Sequence, residues 1–189
     1  VEWRERGVDV YLLNDLQATA YGTLALHADD LYTLNAGSID NEGNIAVIAA
    51  GTGLGEGGLC WGADRYQSIA SEGGHSSFSP TSELEVDLWH YLHQHHGHVS
   101  WERVVAGPGL ASIYNFLRDR QPERESAILK EELVQGDRSD TISRAGLEQR
   151  CELAAEALDL YAYLYGCEAG NLALKLMSSG GVFVGGGIA

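Results

Sequence analysis

A chain of 189 residues with 44% hydrophobic content can bury one sizeable core and part of a second. Twelve basic against 27 acidic residues leave a net charge of −15, which opposes nucleic acid and anionic membranes over the surface as a whole. No run of about 18 apolar residues is present, which excludes a membrane-spanning helix, and the opening Val-Glu-Trp-Arg-Glu-Arg has no signal-peptide pattern.

Residues 8–13 (Val-Asp-Val-Tyr-Leu-Leu) read as a short strand, with Asn14-Asp15 at its carboxyl end capping a helix over about 16–27. The polar stretch 29–40 is a connector, and two domains are expected to meet near 28–44. Residues 44–50 form the next strand, whose apolar part, Ile45 to Ile48, runs into Gly51-Thr52-Gly53-Leu54-Gly55. Three glycines within five residues leave backbone amides open to an anion, and Thr52 adds a hydroxyl donor. Gly53, Gly55 and Gly58 also fit Gly-x-Gly-x-x-Gly, but a dinucleotide fold needs a helix directly afterwards. None opens here, because 59–61, 62–64 and 66–70 read as a hairpin.

A loop over 71–80 holds Glu72-Gly73-Gly74-His75. A helix over about 82–95 follows, with Leu84, Leu88, Trp89 and Leu92 on one side. Ser100 caps a short helix over 101–105, Gly107-Pro108-Gly109 is expected to end it, and helix resumes over 110–118. Residues 123–139 are charged and expected to be exposed. From about 141 to 177 apolar periodicity supports long helical structure, in which Gly166 and Gly170 mark a bend or a close helix contact. Val182-Phe183-Val184 reads as a buried strand ending in Gly185-Gly186-Gly187, a turn that ordinarily opens a helix. The chain is expected to be a fragment of a longer protein.

Cys60, Cys151 and Cys167 are odd in number and lack Cys-x-x-Cys spacing, which fits reduced thiols in a cytoplasm. The histidines at 90, 93, 95, 96 and 98 read as a solvated helix end rather than a zinc site, which needs a defined tetrahedral set with supporting contacts.

The motifs, taken in order, are Leu13-Asn14-Asp15 before a helix, Gly51-Thr52-Gly53-Leu54-Gly55, Glu72-Gly73-Gly74-His75, and Gly97-His98-Val99-Ser100 leading to Glu102-Arg103. Gly107-Pro108-Gly109-Leu110, Gly170-Asn171-Leu172-Ala173-Leu174 and Gly181-Val182-Phe183 through Gly186-Gly187-Ile188 complete the series. The set resembles the bacterial glucokinases, of the actin, heat-shock ATPase and hexokinase superfamily, and spans essentially the whole chain. The resemblance implies an α/β, ribonuclease H-like, actin-like ATPase fold. Residues 1–28 would be a remnant of the small lobe carrying the catalytic aspartate, and 29–189 would be most of the large lobe.

By the same resemblance the activity is ATP-dependent phosphorylation of glucose at its 6-hydroxyl, the first step of glycolysis, in the cytoplasm. Asp15 is then the catalytic base, and Asn14, Asp15, Glu72, His75 and Glu102 bind the sugar. Gly51, Thr52, Gly53, Leu54 and Gly55 would hold the β- and γ-phosphates of ATP, and Gly185, Gly186 and Gly187 the adenosine. The family uses Mg²⁺ with ATP and is commonly dimeric. Its first phosphate loop, Asp-x-Gly-Gly-Thr, whose carboxylate helps place Mg²⁺, is not found in this sequence, and neither is the final helix returning to the small lobe. Weak ATP binding by this stretch alone is therefore expected. Two other readings are a kinase for another hexose or an amino sugar, and a sugar-responsive regulator that has lost catalysis. Retained Asp15 and the complete loop at 51–55 argue against the regulator.

Overall fold

A computed structural model describes residues 12–187. Among them, four strands form one sheet: β1 (Ile45–Ala50), β2 (Leu54–Gly62), β3 (Arg65–Ala70) and β4 (Gly181–Gly185), in the order β3-β2-β1-β4. Strands β1, β2 and β3 run as an antiparallel meander, while β4 returns parallel to β1 on its other side.

The sequence Ile-Ala-Val-Ile-Ala-Ala of β1 is buried nearly throughout, so both faces of the sheet must be covered. Side chains alternate between the two. Ala46, Ile48 and Ala50 join the large core, and Ile45 and Val47 join a smaller one on the opposite face. The smaller core is closed by helix α1 (Asp15–Thr23), which contributes Ala20, Leu16 and Tyr21.

The large core is roofed by helices α2 (Glu83–His96), α3 (Trp101–Val105), α4 (Gly107–Arg120), α5 (Ala127–Gln135), α6 (Arg138–Leu147) and α7 (Glu152–Leu176). Ser82, Ser100, Ser126 and Asp137 cap α2, α3, α5 and α6, each accepting from a backbone amide three residues on. Leu88, Leu92, Ile113, Leu129, Ile142, Leu153 and Leu164 are fully or almost fully enclosed, each worth roughly 1.5–3 kcal/mol relative to exposure.

Several sequence expectations change. The strand at 8–13 falls mostly outside the described residues, and Leu12 and Leu13 are not in a strand. Helix α1 stops at Thr23, just after Gly22, rather than at 27. Gly107-Pro108-Gly109 starts α4 instead of ending α3. Ala106 is extended between the two helices, and proline suits a first helical turn, where no amide partner is needed. The charged stretch 123–139 is not simply exposed, since α5 buries Leu129 and Leu133 at four-residue spacing.

The helical stretch from 141 to 177 is two helices, interrupted after α6 where Gln149 adopts φ +53°. Helix α7 runs unbroken past Gly166 and Gly170, and neither glycine touches a neighbour where a side chain would stand. Strand β4 is half open rather than buried, with Val182 and Val184 each 39% exposed.

Candidate functional site

Strand β1 ends at Ala50, and Ala50 pairs with Leu54, so Gly51, Thr52 and Gly53 form a short turn between β1 and β2. The Gly51 amide donates to the Gly53 carbonyl at 2.9 Å, and the Gly51 carbonyl accepts from the Gly107 amide at 2.8 Å, which fixes the turn to the start of α4. Thr52 is exposed at the tip. The Leu54 amide donates to Glu102 Oε2 at 3.1 Å. Glu102 stands in the first turn of α3, held there by the Ser100 cap.

Glu102 also reaches the third predicted motif. Its Oε1 lies 3.8 Å from His75 Nδ1, and His75 Nε2 lies 3.9 Å from Glu72 Oε2. His75 belongs to a 3-10 turn, Gly73–His75, closed by the His75 amide on the Glu72 carbonyl and the Ser76 amide on Gly73. The Trp101 amide donates to Ser76 at 3.0 Å and locks α3 beside this turn. Separations of 3.8–3.9 Å are too long for hydrogen bonds. Two acceptor-only carboxylates thus flank an imidazole without being consumed by it, an arrangement that can read the donors and acceptors of a polyol.

Asn14 and Asp15 enter from the other face of β2. Asn14 is the N-cap of α1: its Oδ1 accepts from the Leu16 amide at 2.8 Å, and its own amide donates to Gln17 Oε1 at 3.1 Å. Asp15 is the first helical residue and is exposed, its Oδ1 also 2.8 Å from the Leu16 amide. The Leu16 side chain fills the space where a Gly55 side chain would be, so the first turn of α1 sits on the start of β2. Among the described residues no hydrogen bond or ion pair joins Asp15 to Glu72, His75 or Glu102. Both groups instead converge on consecutive residues of β2, Leu54 and Gly55.

Gly185 pairs with Ala49, so the glycines at 185–187 leave the sheet beside the Gly51 turn. Gly186 has φ +101° and lies against the Ala50 carbonyl so closely that no Cβ would fit. Tyr165 of α7 staples these ends. Its buried hydroxyl accepts from the Ala50 amide at 3.0 Å and lies 3.1 Å from the Gly185 carbonyl and 3.3 Å from that of Ile48, donating its single proton to one of them. Burial pushes its pKa up to about 12, so it stays a donor at neutral pH. Nothing in the sequence distinguishes Tyr165 from the other aromatics of α7.

The site therefore opens at the carboxyl ends of a parallel strand pair, where open α/β sheets characteristically bind ligands. Among the described residues no group of three or more His, Cys, Asp or Glu could hold a metal. Nor is any described helix long and apolar enough to cross a membrane.

Comparison with known proteins is consistent along the whole chain. A family model described as Glucokinase matches residues 4–189. The glucokinase of Synechocystis sp. is 45% identical over 197 residues, covering 95% of this chain and 55% of its own length. That of Nostoc sp. is 44% identical over 193 residues, covering 95% of this chain and 56% of its own. Among solved structures, a glucokinase from an Antarctic psychrotroph superposes with a TM-score of 0.80 at 33% identity, over 93% of this chain and 52% of that one. The chain thus spans about half the length of the relatives it matches. The expected actin-like ATPase fold holds.

Proposed function

Because the chain belongs to the glucokinase family, we propose that the protein transfers the γ-phosphoryl group of ATP to the 6-hydroxyl of glucose. The observation that carries this reading is the convergence of Glu72, His75 and Glu102 beside the Leu54 amide, next to a glycine turn at the end of the parallel pair.

In this reading Glu72, His75 and Glu102, with Asn14, bind the sugar hydroxyls. Asp15 accepts the proton of the attacking hydroxyl as the bond to phosphorus forms, a contribution of about 10²- to 10⁴-fold in rate. Amides of the 51–55 turn and the Thr52 hydroxyl bind the terminal phosphates, where one well-aimed donor is worth on the order of 3 kcal/mol. The glycines at 185–187 let adenosine lie against backbone. Magnesium bound with ATP would neutralise the triphosphate.

Residues 1–28 act as part of a small lobe and 29–189 as most of a large one, closing on the sugar. A cytoplasmic location and a homodimer complete the proposal. A coupled ADP-release assay on the complete protein with glucose, mannose, fructose and N-acetylmannosamine tests it. Turnover greatest with glucose is the expected result, preference for another sugar reassigns the substrate, and sugar binding without ADP release makes the protein a sensor.

A further inference from the structure

Strand β2 carries one carboxylate that the proposed reaction does not use. Glu56 is 1% exposed. It has the same parity along β2 as Leu54 and Gly58, which face the large core and Leu176 of α7, so it points at α7. There it meets Glu168, which is fully buried. Glu168 Oε1 is 2.9 Å from Lys175 Nζ, and its Oε2 accepts from Asn171 Nδ2 at 2.8 Å. Glu56 Oε1 has no hydrogen-bond partner of the ordinary donor kind among the described residues. Its Oε2 lies directly against Gly73, where even a Cβ would overlap it. Gly74 is pressed in the same way onto the Leu54 carbonyl. The turn that carries Glu72 and His75 therefore rests on a buried carboxyl.

Two buried carboxylates facing one half-exposed lysine cannot both be charged without leaving one negative charge uncompensated. Burial first, and the Glu168 carboxylate second, push the Glu56 pKa up to about 7, with Lys175 working in the opposite direction. A hydrogen bond to the Glu168 side chain favours the protonated Glu56 in the same direction.

We propose that the Glu56–Glu168 pair is a positioning device for the sugar turn, setting through Gly73 how accurately Glu72 and His75 are presented. The link to sugar rests on the functional reading above, whereas the link to the turn does not. Other charged groups surround β2: Glu72 and His75 on the turn itself, Glu102 on α3, Arg65 at the far end of β3, and Asp15 on α1 across the sheet. Strand β1 contributes none. Glu168 and Lys175 are the two whose charges act on Glu56. When Glu56 ionises, two like charges face each other beneath Gly73, and the turn is driven off its support.

Two measurements on the complete protein test this. In the first, glucose KM is followed from about pH 6 to 9 for the wild type, Glu56→Gln and Glu56→Ala. The wild-type value should rise with a midpoint near 7, and that inflection should vanish in Glu56→Gln, whose amide fills the same space without ionising. Glu56→Ala should raise glucose KM on the order of 10- to 100-fold at every pH, because the turn loses its floor, while ATP KM changes little. Superimposable pH profiles for the wild type and Glu56→Gln would overturn the proposal.

The second measurement needs no activity and no variant. In NMR of wild-type protein labelled at glutamate carboxyls and glycine amides, one carboxyl should titrate near 7, and the Gly73 and Gly74 amides should shift with the same midpoint. Glutamates all titrating in the ordinary carboxylate range, or glycine amides indifferent to that titration, would refute it. Coupled titration without sugar turnover would leave this device standing and remove the kinase reading. Sugar turnover without coupling would do the reverse.

Discussion

The Leu54 amide donates to Glu102 Oε2 at 3.1 Å, joining the turn proposed to hold phosphate to the helix proposed to hold sugar. The same oxygen stands 2.7 Å from where a Cβ on Gly53 would be, so the carboxylate is seated on the turn's backbone. One side chain thereby bridges the two proposed binding regions: its Oε2 fixes the hairpin, and its Oε1 faces His75.

Glu102→Ala should therefore raise KM for sugar and for ATP together. A hydrogen bond to a charged group contributes about 1.5–3 kcal/mol, which corresponds to roughly 10- to 100-fold in kcat/KM. Glu102→Gln keeps an oxygen for Leu54 and should spare ATP KM while still weakening sugar binding. Steady-state kinetics with each substrate varied in turn separates the two effects.

Asp15→Asn should lower kcat by about 10²- to 10⁴-fold with little change in glucose affinity, because the amide can still hydrogen-bond the hydroxyl but accepts no proton. Its effect on folding should be small, since Asp15 is exposed and Asn14 supplies the cap. Calorimetric glucose binding beside single-turnover rates would reveal the split, and near-normal turnover would remove Asp15 as the base.

Tyr165→Phe should leave the buried Ala50 amide without its acceptor, a loss of about 1–3 kcal/mol. Because the hydroxyl also lies 3.1 Å from the Gly185 carbonyl, ATP KM should rise even though the ring fills the same space. Urea denaturation and ATP kinetics on the same preparation test both consequences.

Stability should depend on pH through Glu56. Its folded pKa is raised from 4.5 to about 7, so between those values the folded state keeps a proton that the unfolded chain releases. Its contribution is therefore fully present below about 4.5, is lost as pH rises, and levels off above about 7. Ordinary paired carboxylates have the opposite slope, so the informative quantity is the difference between the wild type and Glu56→Gln. Across that window the variant should gain about 3 kcal/mol relative to the wild type, read from unfolding curves at several pH values.

Local chemistry was legible in the sequence wherever a short pattern determines it. The apolar run at 45–48 gave β1, glycines with Thr52 gave the turn, and Asn14-Asp15 gave the start of α1. Partners distant along the chain were not legible. Leu129 and Leu133 lie among Lys130, Glu131 and Glu132, and only the packing of α5 reveals that the two leucines are buried together. Gly107-Pro108-Gly109 has the composition of a turn, yet the fixed φ of proline equally suits a helix start. Glu56 sits between two glycines, with nothing local to mark it as buried, and its burial depends on α7 arriving more than a hundred residues later. The same holds for Glu102 on Leu54 and Tyr165 on Ala50: the sequence names both partners but not their meeting.

The parallel pairing of β4 with β1 has a consequence for synthesis. On the ribosome, the β1–β2–β3 meander is complete long before β4 emerges, so an early nascent chain exposes one edge of β1 and the face of the meander that the large core later covers. Contacts so far apart in sequence form late, because loop closure must precede any gain from them. The Tyr165 staple and the Gly186 contact should thus be among the last protections acquired in pulse-labelled hydrogen exchange during refolding, well after the Ile45–Leu59 pair. A chain arrested before α7 would have its glycine turn tied to α3 and α4, but neither the Tyr165 hydroxyl that holds Ala50 nor the β4 glycines beside it.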